Sequence, residues 1–154
     1  MEHMRQRVRT FADKKCGLGA TTRQIAQAES SLGICFPESY RRFLEWFGWA
    51  RFSHEQLYGL GNDVPAALEL LRNTLAERND MEPRLPHWLV PVMNDGAGNH
   101  YCLDTKQMRD NECPMVFWDH ELGKDQRPQP TAVSFDRWLI ELLDNLEKEL
   151  NRNQ

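Results

Sequence analysis

The sequence lacks the markers of several large function classes. No apolar run approaches the ~18 residues that a membrane-crossing helix needs. The N-terminus is polar and charged and carries no apolar signal core. Both absences predict a cytoplasmic protein without a membrane partner. The cysteines Cys16, Cys35, Cys102 and Cys113 are scattered and form no C-x-x-C pair, which excludes a zinc ribbon or a thioredoxin-type motif. In a reducing compartment they stay thiols, and Cys35 and Cys102, set in apolar runs, read as small core residues. Basic excess is also missing: 19 Lys and Arg stand against 23 Asp and Glu, a net charge of −4. A nucleic-acid binder ordinarily carries a basic stripe. Here the local excess is confined to Arg5, Arg7, Arg9, Lys14 and Lys15, so no nucleic-acid partner is predicted.

The motifs of common chemistries are absent too. There is no H-E-x-x-H and no G-x-S-x-G elbow. The double glycines at 59–61 and 96–98 are not followed by the Lys-Ser/Thr and helix start of a phosphate-binding loop. His3, His54, His87, His100 and His120 are dispersed. No cofactor and no metal site is predicted. His100 and Cys102 share a strand face, but a buried Cys102 explains that spacing better than a nucleophile does.

What is present is a well-filled globular chain of 154 residues, 40% hydrophobic, with five Trp and seven Phe. That is one domain with a substantial core. Residues 1–20 read as a basic N-terminal extension in which Val8, Phe11 and Ala12 share a short helical face; residues 21–150 read as the domain. Thr21-Thr22-Arg23-Gln24 fits a capping box. Ile25, Ala28 and Leu32 follow at helical spacing, and Gly33 supplies the stop. Pro37 opens a second helix with Tyr40, Phe43, Leu44 and Phe47 on one face, ended by Gly48. Gln56–Leu60 reads as a short strand. Asp63 is expected to cap a third helix with Leu68, Leu71 and Leu75 buried. Strands are expected at Trp88–Met93, Asn99–Leu103 and Met115–Trp118, with loops at 105–113 and 121–131. Ser134 caps a last helix whose face is Phe135, Trp138, Leu139, Leu142, Leu143, Leu146 and Leu150, fraying beyond Leu150. Helices, then strands, then a helix predict an α+β fold: a mainly antiparallel sheet packed with helices, an N-terminal helical hairpin and a long C-terminal helix.

Four segments carry a resemblance. Ile25-x3-Glu29-x2-Leu32-Gly33-x2-Phe36-Pro37-x2-Tyr40-x2-Phe43-Leu44-x3-Gly48 resembles the opening helices of the SUKH superfamily, which includes bacterial immunity proteins and fungal cell-wall assembly regulators. Asp95-Gly96-Ala97-Gly98-Asn99-His100-Tyr101-Cys102-Leu103-Asp104 resembles its strand-turn-strand. Pro114 to Glu121, with Trp118-Asp119-His120-Glu121, and Ala132 to Leu139, with Trp138, resemble its later motifs. The departures are Phe36, where Leu is commoner, and the extension. The resemblance implies an α+β domain without enzymatic activity that binds a cognate toxin and blocks it, often a nuclease. It makes Gly33, Pro37, Tyr40, Gly96, Gly98, Asn99, Trp118 and Trp138 scaffold. It carries over no contact residue. Charge and exposure nominate Asp95, Asp104, Asp119 and Glu121, with Trp46 and Trp49, as partner contacts. The alternatives are a regulatory or scaffold module, and a hydrolase using Asp95, His100, Asp119 and His120 around a metal.

Overall fold

In the computed structural model, which describes residues 1–153, seven strands form one sheet in chain order, every neighbouring pair antiparallel. This meander is the expected α+β architecture. Helix α1 (Glu2–Thr10) leads into β1 (Lys14–Cys16). Helices α2 (Thr22–Leu32) and α3 (Glu38–Trp46) form the hairpin. Strands β2 (Ala50–Phe52) and β3 (Glu55–Leu57) follow, then α4 (Leu70–Asn79). Strands β4 (Leu89–Asn94), β5 (His100–Asp104), β6 (Met115–Trp118) and β7 (Gln129–Ala132) complete the sheet, and α5 (Phe135–Arg152) closes the chain.

The helices start and stop for local reasons. Thr21 and Gln24 form the reciprocal capping box of α2, and Gly33 ends it in the left-handed region at φ 68°. The N-terminus of α3 is satisfied from a distance. The backbone N–H of Ser39 donates to Glu112 Oε2 and its hydroxyl to Glu112 Oε1, both at 2.8 Å, so a carboxylate sits where the helix dipole is positive. Glu29 ties the hairpin together by accepting from Phe36 N at 2.8 Å and from Arg41 Nη2 at 2.9 Å.

Both faces of the sheet are covered. Val90, Val92, Leu103 and Met115 belong to the main core with α2, α3 and α5, where Tyr40, Phe43 and Phe135 pack edge-on or stacked. Each fully buried aromatic or aliphatic side chain there contributes about 1.5–3 kcal/mol of burial. Cys102, Val116, Trp118 and Leu89 form a smaller cluster on the opposite face with Leu85 and Trp88. Helix α4 packs Leu70, Leu71 and Leu75 into the main core, and its Arg78 donates to Leu32 O at 2.9 Å.

Four local expectations differ from the structure. The expected N-terminal helix spans Glu2–Thr10 and packs into the core, leaving Ala12 exposed, and an edge strand follows it: Met4, Val8 and Phe11 are at most 1% exposed, and Arg7 bridges to Asp144 and Glu147 of α5 at 2.6 and 2.8 Å. Helix α4 begins at Leu70, capped by the Glu69 side chain, because Asp63 is occupied elsewhere. Its buried residues are accordingly Leu70 and Thr74, while Leu71 and Leu75 are partly buried. Cys35 is exposed, since Phe36 rather than its neighbour turns inward from the α2–α3 connector. The 121–131 loop ends in β7, and β1 and β2 were not foreseen.

Candidate functional site

The β4–β5 turn is built around one carboxylate. Asp95 Oδ1 accepts from Ala97 N at 2.8 Å and Asn99 N at 3.1 Å, and Oδ2 accepts from Asn99 Nδ2 at 2.9 Å. Asn94 Oδ1 closes the first half by accepting from Gly96 N at 2.7 Å. Gly96 and Gly98 adopt φ 89° and 92°, which glycine tolerates without steric cost. Burial opposes the charge on Asp95, but the hydrogen bonds from Asn99 and Ala97 outweigh it and hold the carboxyl below its ordinary value.

Asn99 joins this turn to the segment after β6. Its Oδ1 accepts from His120 N at 3.1 Å and lies 2.7 Å from His120 Nδ1. Asp119 Oδ1 accepts from Glu121 N at 2.9 Å, and the Gln126 side chain pins Asp119 through both backbone groups, at 3.1 and 2.6 Å. Asn99 and His120 thus bring the Asp95 turn and the Asp119–Glu121 segment to the same end of the sheet. Glu121 is exposed and Asp119 half-buried.

The other nominated residues lie elsewhere. Asp104 stands four residues along β5 from His100, about 13 Å away at ordinary strand rise. It is 8% exposed, and Gln107 Nε2 donates to its Oδ2 at 2.6 Å. Trp49 is 5% exposed and donates through Nε1 to Asp63 Oδ1 at 3.2 Å, while Asp63 Oδ2 accepts from Leu18 N at 3.1 Å. Neither Asp104 nor Trp49 offers a side chain to a docking partner in this conformation. Trp46 is half-buried, with the Arg5 guanidinium 4.8 Å over its ring.

Beneath the turn lies a polar group that the sequence did not reveal. His100 Nε2 is 3.3 Å from the Tyr58 hydroxyl, and Nδ1 is 3.4 Å from Glu77 Oε1 on α4. Burial, partly opposed by the Asp95 charge, pushes His100 down to about 4, so the ring is neutral at pH 7. Burial raises Glu77 and pushes Tyr58 up to about 12. Cys102 is fully buried and its thiol is raised well above the ordinary value, the reverse of an activated nucleophile. Among the described residues no group of three or more His, Cys, Asp and Glu is placed to hold a metal ion, and no helix is long and apolar enough to cross a membrane.

A seven-strand antiparallel meander between helices, with this Asp-Gly-x-Gly-Asn hairpin at one end, defines a SUKH-type α+β domain. The chain belongs to the SUKH_5 family, described as SMI1-KNR4 cell-wall, which it matches over residues 3–144. It is similar to the SPbeta prophage-derived uncharacterized protein YokK of Bacillus subtilis (strain 168), with 24% identity over 157 residues, 80% of this chain and 75% of that protein. A crystal structure of a protein from Pseudomonas syringae pv. tomato shares the fold at a TM-score of 0.62 and 14% identity, covering 82% of this chain and 88% of that one.

Proposed function

We propose that this protein is a cytoplasmic immunity protein that binds a cognate toxin domain, such as a nuclease, and neutralises it by direct contact, with no catalysis of its own. The family match across residues 3–144 carries this reading, and the prophage-derived relative supports it. The site chemistry agrees. Asp95 is committed to its own turn, His100 is neutral and buried, and Cys102 is inert, so the titratable groups near the hairpin serve as scaffold. Exposed carboxylates such as Glu121 suit a basic partner, whose capture they would accelerate by electrostatic steering.

Co-expression with the toxin domain encoded beside its gene restores growth under this proposal. Loss of growth despite expression of the folded protein, with no complex recovered, would remove it.

The family's cell-wall description favours one second reading, a regulatory binding module with no toxin partner. Recovery of the same housekeeping partner, and no toxin, by affinity capture of the native protein would support that reading over the first.

A further inference from the structure

One groove brings three carboxylates together with two aromatic rings. It holds about 520 Å³ between the β4–β5 end of the sheet, β7 and α5, within the roughly 300–1,000 Å³ of sites that hold small ligands. Tyr101 and Trp138 line it with ring centroids 5.7 Å apart, and Leu142 adds an apolar wall. Glu55, Asp95 and Glu141 stand around these rings, and no lysine or arginine lines the groove among the described residues. The one pairing with a basic side chain is His54 Nε2, 3.1 Å from Glu55 Oε1 on the outer side, where His54 is exposed. The three carboxylates come from β3, the β4–β5 turn and α5. Elsewhere five acids, Glu29, Glu38, Glu45, Asp144 and Glu147, contact an arginine.

We infer that this groove is a docking site for an arginine side chain presented by the basic surface of a protein partner. A guanidinium stacks on an aromatic face and forks between carboxylates at once, and a strongly hydrated ammonium does this less well. Tyr101, half-buried, supplies the accessible ring, and Trp138, 5% exposed, backs it from within the core. Glu141 from α5 and Glu55 from β3 supply acceptors. Asp95 already accepts three hydrogen bonds within its own turn, so it adds negative charge beside the groove and at most one further acceptor position. Asymmetry of charge and the aromatic lining single out this groove over the larger one beside Trp88, which mixes Glu29 with Lys106. The assignment rests on the immunity reading for the partner's identity, and on the groove alone for its chemistry.

The test has two arms. In the first, Nα-acetyl-arginine amide is titrated into the full chain and followed by the Trp138 indole N–H resonance. Saturable shifts are expected in wild type and their loss in Glu55→Gln/Glu141→Gln. Glu141→Gln alone, at an exposed helix position, gives a weakened response in a chain whose folding is not in question. No shift, equal shifts in the double variant, or an equal response to Nα-acetyl-norleucine amide would overturn the assignment. In the second arm, the purified neighbouring toxin domain binds wild type. The double variant associates about tenfold more slowly at low salt, with a flatter salt dependence. Failure of wild type to bind would end the immunity reading, with the groove judged by the first arm. Unchanged binding by the double variant would end the groove's role in the complex while leaving immunity intact.

Discussion

Gly98 illustrates how tightly single residues are specified near the hairpin. Its φ is 92°, and a β-carbon there would lie 3.2 Å from the His120 ring. A side chain would meet both the left-handed penalty and the imidazole that Asn99 holds in place. Gly98→Ala is expected to cost about 1–2 kcal/mol in urea unfolding and to shift the His120 resonances. A cost near zero would show that the turn is not held as described. His100 makes a second prediction. Its folded pKa of about 4 lies below the value of ~6.5 for an unfolded chain. Between these values the unfolded state binds the extra proton, so stability falls as pH drops from about 6.5 toward 4, by an amount on the order of 3 kcal/mol. The groups facing the ring are Tyr58, Glu77, Asp95 and His120. Glu77, raised by burial, binds its proton more readily when folded and opposes the trend at the acid end. The readout is therefore the comparison with His100→Gln, whose unfolding free energy should vary less with pH across that interval.

At the scale of elements, α1 belongs to the core. Met4 and Val8 are fully buried against α5 and its neighbours, and Arg7 clamps two carboxylates of that helix. Met4→Ala is expected to cost about 2–5 kcal/mol by leaving a cavity. Arg7→Ala should cost about 1 kcal/mol or less, because its partners reach solvent. Equal, small losses in thermal melts would show α1 to be peripheral. The elements that a single sequence discloses are those with long periods. Helices α2, α3 and α5 repeat their apolar faces over two or more turns and carry recognisable caps at Thr21 and Ser134. Strands β1 and β2 have three residues each, too few for alternation to register; β3, as short, was expected at Gln56–Leu60 and runs Glu55–Leu57; and β7 contains Pro130, which argues against a strand yet suits an edge. The displaced start of α4 has a tertiary cause: Asp63 has the composition of a cap but is held by Trp49 and Leu18.

For the molecule as a whole, the hairpin with Asp95, Gly98 and Asn99 was legible because its chemistry is local, whereas the Asn99–His120 contact joins two segments that no local pattern links. The acidic groove was not legible. Glu55, Tyr101 and Glu141 come from segments more than 35 positions apart, and no local pattern distinguishes them from ordinary surface residues. The same holds for Glu77, which meets His100 only because α4 packs beside β4. Asp104 and Trp49 show the converse: residue type suggested contact, while burial assigns them to the scaffold. A charged groove formed between well-packed elements suits capture of a partner by preformed complementarity, with little rearrangement on binding. The most direct measurement of that claim is inhibition of the purified neighbouring toxin domain by increasing amounts of this protein. The account predicts that activity falls linearly to zero at one equivalent, with a 1:1 complex recovered by size exclusion. Full toxin activity in excess protein, with no complex formed, would contradict it.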